Sequence, residues 1–122
     1  MKRYGRIAAV AALVLLFGAA GLAKLVDPAS FRDQFAHFGL PAWWIAVTGA
    51  VELLGAALIA LPGRTRRAGA ALLAATMGAA TALHLVHDPI ALASPAAALM
   101  LLAGYVASGP RGEDAARGLA RA

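Results

Sequence analysis

Hydrophobic positions in this chain run in long blocks rather than marking one face of each segment. Four apolar stretches, Ile7 to Val26, Trp43 to Leu61, Ala68 to Val86 and Ile90 to Ala107, are separated by short segments that hold most of the charge. Lys24 interrupts the first, Glu52 the second and His84 the third, and the fourth has no ionisable group before Tyr105. Each approaches the roughly 20 residues that an α-helix needs to cross a hydrocarbon layer of about 30 Å. None alternates strictly, as a barrel strand would. The pattern predicts an all-α fold, a bundle of four transmembrane helices. A soluble bundle would need a polar face on every helix, and the fourth stretch offers only Ser94 and Ser108 as clearly polar residues.

Composition agrees. The chain has 122 residues, 61% hydrophobic and 14% charged, against roughly 45–50% and about 25% in ordinary soluble domains. Its 34 alanines and 13 glycines suit helices that approach closely in lipid, with Gly18, Gly21, Gly49, Gly55 and Gly78 as the candidate packing positions. The absence of cysteine excludes disulfides, thiol relays, iron–sulfur clusters and thiolate zinc sites. One membrane domain over residues 1–122 is expected, ending in a polar tail over 109–122 that is frayed or weakly helical.

The basic residues orient the spans. Lys2, Arg3 and Arg6 precede the first, Arg64, Arg66 and Arg67 lie between the second and third, and Arg111, Arg117 and Arg121 follow the fourth, while the opposite side holds only Lys24 and Arg32. This asymmetry predicts both termini in the cytoplasm. The net charge of +5 then has a topological cause, and no nucleic-acid partner is expected. Met1 to Ala23 has the features of a signal peptide, ending in the small residues around Gly21-Leu22-Ala23. The charge asymmetry nevertheless requires the first span to be retained.

The first outer loop, Asp27 to Ala42, predicts a short amphipathic helix. Asp27 is the expected cap, Pro28 the first helical position, and Gly39 with Pro41 the stop. Phe31, Phe35 and Phe38 share one face of it, as a lid over a cavity mouth or an anchor on the membrane surface. Trp43 and Trp44 follow at the depth of an aromatic belt. Asp88 and Pro89 are expected to cap and begin the fourth helix. A weak internal repeat aligns Gly18-Ala19-Ala20 with Gly78-Ala79-Ala80 and Lys24 with His84, each segment leading into Asp-Pro.

Chemistry points to the ionisable residues inside the spans. Glu52 lies roughly 14 Å into the second span at about 1.5 Å per residue. A carboxylate there must be protonated or paired and must face the bundle interior. Lys24, expected about 10 Å shallower, is its partner if its long stem bends inward, and otherwise snorkels to the headgroups. His84, with Thr81 and Met77 on the same helix face, either joins this polar site or faces interfacial water. A metal or haem is not expected: no Glu-x-x-His repeat occurs, and His84 is shallow for a haem ligand.

The run Gly21-Leu22-Ala23-Lys24-Leu25, the loop residues Phe31, Phe35 and Gly39-Leu40-Pro41, the core Gly49-Ala50-Val51-Glu52-Leu53-Leu54-Gly55, and Met77, Ala80 and His84 together resemble the DoxX-like family of small four-helix bacterial membrane proteins. The resemblance covers roughly residues 5–107. It implies a four-helix membrane bundle in which Lys24, Glu52 and His84 match recurrent polar residues. It also implies an association with redox complexes. The family name comes from a small subunit of an archaeal terminal oxidase, and a related subunit belongs to a thiosulfate:quinone oxidoreductase. The expected function is that of a subunit binding a quinone or another lipophilic ligand in a pocket of Lys24, Glu52, Thr81 and His84. Such a subunit sits in the lipid bilayer of a bacterial inner membrane, with a membrane or periplasmic redox protein or a second copy of itself as partner. The competing readings are a non-enzymatic anchor or assembly subunit and, behind both, a small-solute transporter.

Overall fold

The structure, a computed structural model, describes residues 2–108, with side chains from residue 3. The polar tail 109–122, with Arg111, Arg117 and Arg121, lies outside the described residues. The described residues form five α-helices in order: α1 (Lys2–Val26), α2 (Arg32–His37), α3 (Trp43–Ala60), α4 (Arg64–His87) and α5 (Ser94–Ser108). Single 3₁₀ turns, Pro28–Phe31 and Ile90–Ala93, lead into α2 and α5. Among the described residues there is no strand. Four helical spans among these residues are long and apolar enough to cross a membrane: Arg3–Val26, Trp43–Ala60, Arg64–His87 and Ile90–Ser108.

Proline sets the ends of three long helices. A residue before proline is pushed out of the helical region. Asp27 before Pro28 has φ −134° and ψ 68°, Leu61 before Pro62 has φ −92° and ψ 133°, and Asp88 before Pro89 has φ −130° and ψ 164°. Helix α2 ends in a Schellman arrangement. Gly39 at φ +74° donates its N–H to Ala36 O, and Leu40 donates to Phe35 O, both at 2.9 Å. Gly63, at φ +79°, turns the chain from α3 into α4. Arg66 then folds back and donates to Ile59 O at 2.7 Å and Ala60 O at 3.4 Å, which satisfies carbonyls left open at the end of α3.

The predicted caps differ from those found. Asp27 stands at the start of the first 3₁₀ turn, but its carboxylate accepts the Ser30 hydroxyl rather than a backbone N–H. Pro89 is extended at ψ 144°, so α5 begins only at Ser94, after a further turn. The Asp88 carboxylate is turned away from that helix, toward two histidines.

The helices run antiparallel in two pairs, α1 with α3 and α4 with α5. The pairs join at the Gly63 end. There Ala9, Leu13, Phe17, Ala56, Ile59, Ala70, Leu73, Ala103 and Val106 form the hydrophobic core, and Arg6 donates to Val106 O at 2.9 Å while stacking on Tyr105. Glycines set the close approaches. A Cβ on Gly55 would lie 2.6 Å from the Leu73 side chain, and one on Gly69 2.6 Å from Leu58 Cβ. Within the first pair, a Cβ on Gly21 would lie 2.7 Å from Gly49 O. Gly21, Gly49 and Gly55 therefore stand at helix crossings. Gly18 does not, since a Cβ there would meet nothing within 4 Å, and Gly78 makes only an ordinary contact with Met100 at 3.5 Å. Gly69 stands at a crossing that its sequence position did not reveal.

Large apolar side chains cover the outside of the bundle. Leu15, Leu54, Val86 and Leu101 are more than half exposed. A protein in water hides such a surface, whereas a bilayer solvates it. The chain is a multi-pass membrane protein.

Candidate functional site

At the end opposite Gly63 the two pairs diverge and leave a cavity of about 460 Å³. Helix α3 contributes Val47, Thr48, Val51 and Glu52, and α4 contributes Thr76, Met77, Ala80, Leu83 and His84. Ala96 and Leu99 of α5 close the far wall. The roof is α2 with the residues that follow it, through Gln34, Phe35, Phe38 and Leu40.

One charged pair reaches this wall. Lys24 Nζ lies 2.9 Å from Glu52 Oε1, and both side chains are largely buried, Glu52 the more completely. The glycine crossing explains the meeting. Gly21 and Gly49 let α1 and α3 approach backbone to backbone, so Lys24 starts near enough for its stem to reach inward. The lysine ammonium also lies 4.8 Å from the centre of the Phe31 ring, a cation–π contact that ties the start of the roof to the ion pair. Phe35 is buried and Phe31 and Phe38 are half-buried, so the aromatic stripe faces the bundle.

His84 lines the same cavity but does not join the pair. Its Nδ1–H donates to Asp88 Oδ2 at 2.8 Å, and His37 Nε2–H donates to Asp88 Oδ1 at 2.6 Å. A carboxylate only accepts hydrogen bonds, which makes both ring nitrogens donors. Desolvation works against the Asp88 charge, but the hydrogen bonds and charge of His37 and His84 outweigh it and hold the carboxyl below its ordinary range. Phe38 stands edge to face against His84, with ring centres 5.0 Å apart, and also against His87 at 5.7 Å.

Thr81, expected beside His84, is not part of the cavity wall. Its hydroxyl donates to Met77 O at 2.7 Å, one turn back on its own helix. Thr48 and Thr76 occupy the wall but likewise bond carbonyls of their own helices. Three residues escaped sequence reasoning: Gln34 and His37 of α2, and Asp88 as a histidine partner. Only the spacing of His84 and Asp88, four residues apart, signalled any of this beforehand. Among the described residues no three His, Asp or Glu side chains are grouped to hold a metal ion.

A family model described as DoxX-like matches residues 8–108. The chain belongs to the DoxX-like family. The match takes in most of α1, the roof and the other long helices, so this DoxX-like chain carries Lys24, Glu52, His37, His84 and Asp88 inside the family region. Comparison with curated proteins and with solved structures gave no match.

Proposed function

We propose that this DoxX-like protein binds a lipophilic molecule with a polar head, of the quinone class, in the cavity between its helix pairs. It would do so as a subunit of a redox complex in a bacterial plasma membrane. The observation that carries the reading is the buried Lys24–Glu52 pair set into the wall of an otherwise mostly apolar cavity. Ligand sites are typically apolar hollows of some 300–1,000 Å³ with a few convergent polar groups, and about 460 Å³ falls in that range. Lys24 donates to a ligand oxygen or holds Glu52 charged, and Glu52 and His84 exchange hydrogen bonds or protons with the head. With Asp88 holding Nδ1, the His84 Nε2 is the nitrogen left for a ligand. With the basic Gly63 end taken as the cytoplasmic one under the positive-inside rule, the cavity opens in the opposite leaflet.

The test is a titration of the purified protein with decylubiquinone, together with mass spectrometry of small molecules retained through purification. The Glu52→Gln protein should keep its helical content and bind about tenfold more weakly, as expected when a charged hydrogen-bond partner is removed. Equal binding by parent and variant, or no binding by the parent, overturns the reading. A protein partner co-purifying in mild detergent with no retained lipophile favours the anchor-subunit alternative.

A further inference from the structure

The two helix pairs behave as arms joined at one end. The glycine crossings between them, Gly55 with Leu73 and Gly69 with Leu58, and the Arg6–Val106 hydrogen bond lie at the Gly63 end. The cavity lies between the arms at the other end. Helix α2 belongs to the first arm, since the chain runs straight from it through Leu40 into α3. His84, His87 and Asp88 belong to the second.

Across the mouth between them, among the described residues, stand a hydrogen bond and an aromatic cluster. His37 of the first arm holds Asp88 of the second at 2.6 Å, and Phe38 of the first lies edge-on against His84 and His87 of the second. His84 braces the same carboxylate from its own arm. The His37 side chain is about half exposed, at 51%, so water competes for this bond from outside. His37, the outer member of this bridge, is thus open to solvent although Asp88 is largely shielded, while the deep core lies at the opposite end. Few buried apolar contacts and solvent-exposed hydrogen bonds mark the parts of a fold that open first.

We propose that His37, Phe38 and Asp88 form a clasp that sets the aperture of the cavity. With the clasp closed, α2 covers the site. When the His37–Asp88 bond and the Phe38 contacts break, the arms part at this end and the site is exposed to water, while the Gly63 end stays packed. The purpose of the clasp, control of ligand exchange, rests on the proposed ligand site, but its movement can be tested without any ligand.

The chain lacks cysteine, so a single introduced thiol reports one position. Ala80→Cys places a thiol on the cavity wall, and Leu54→Cys places one on an exposed, lipid-facing position. Both are reacted in proteoliposomes with a charged, water-soluble methanethiosulfonate. Adding Asp88→Asn or His37→Ala should speed reaction at Ala80→Cys by about tenfold and leave Leu54→Cys unchanged, as local opening requires. His37→Gln, which keeps an N–H donor, should stay near the parent rate, as should Asp27→Asn, whose carboxylate holds only Ser30. If the Asp88→Asn and His37→Ala rates at Ala80→Cys stay within about twofold of the parent, the clasp is overturned. A parallel rise at Leu54→Cys signals general unfolding and overturns it equally. Failure of decylubiquinone to bind bears on the ligand alone and leaves these rates unaffected.

Discussion

Lys24 and Glu52 meet at 2.9 Å because Gly21 and Gly49, three residues before each of them, bring α1 and α3 together. The pair and the crossing are one device: the small residues remove the distance that the lysine stem would otherwise have to span. Removing one member of a buried pair strands the other, at a typical cost of about 3–5 kcal/mol. Replacing both by apolar residues costs far less. Lys24→Met and Glu52→Leu should each lower stability sharply, and the double variant should recover most of the loss. Unfolding of the three proteins in detergent micelles measures this as a coupling energy. Additive losses would show that the pair contributes nothing as a pair.

The glycines make a graded series. Gly21→Ala, Gly55→Ala and Gly69→Ala each insert a methyl group within 2.8 Å of existing atoms, and overpacking of this kind costs about 1–3 kcal/mol. Gly55 should suffer least, because its neighbour is the movable end of Leu73, whereas Gly21 and Gly69 also meet backbone atoms. Gly18→Ala faces open space and should match or slightly exceed the parent in thermal stability. Alanine is the better helix former. A destabilised Gly18→Ala protein would contradict the packing described.

Asp88 gives the fold a defined acid sensitivity. Its carboxyl titrates below the ordinary value of 3.8 in the folded protein. A group whose folded value is depressed contributes stability that is fully present above the unfolded value and is lost as pH falls through the folded one. The melting-temperature gap between parent and Asp88→Asn should therefore be constant from neutral pH down to about pH 5 and close below about pH 4. Melting curves across that range check it, and a gap that widens on acidification has the wrong sign.

Arg66 closes the α3–α4 turn through two carbonyls of α3. Arg66→Met keeps much of the apolar stem and removes the donors. It should cost about 1.5–3 kcal/mol, the range for hydrogen bonds to charged groups. Faster amide exchange over Leu58–Leu61 should accompany it, and unchanged exchange there would show that solvent satisfies these carbonyls unaided.

Much of this architecture is written locally. Four long apolar runs and three Xaa-Pro steps give the spans and their ends to within a few residues, because hydrophobic length and proline sterics act without knowledge of distant contacts. The Lys24–Glu52 meeting was legible for a similar reason: a carboxylate deep in an apolar run needs a partner, and Lys24 was the cation nearest to its level. The rest depends on how helices rotate about their axes. Nothing local separates Gly18, which faces open space, from Gly21, which faces a backbone three residues on. Nor does it announce that Thr81 turns its hydroxyl to its own helix. His37 and Asp88 are 51 residues apart, and only the antiparallel pairing of the helices brings them together.

The turn at Leu61, Pro62 and Gly63 is the sole covalent tie between two hairpins, each of which enters the membrane and returns to the side it came from. Each half is thus a complete insertion unit, able to thread the bilayer before the other exists. A chain severed at that turn loses no buried contact of Gly55, Gly69 or Leu73. Two half-length polypeptides expressed in one cell are accordingly expected to find each other and reconstitute the whole. Their affinity would then report the strength of the seam directly.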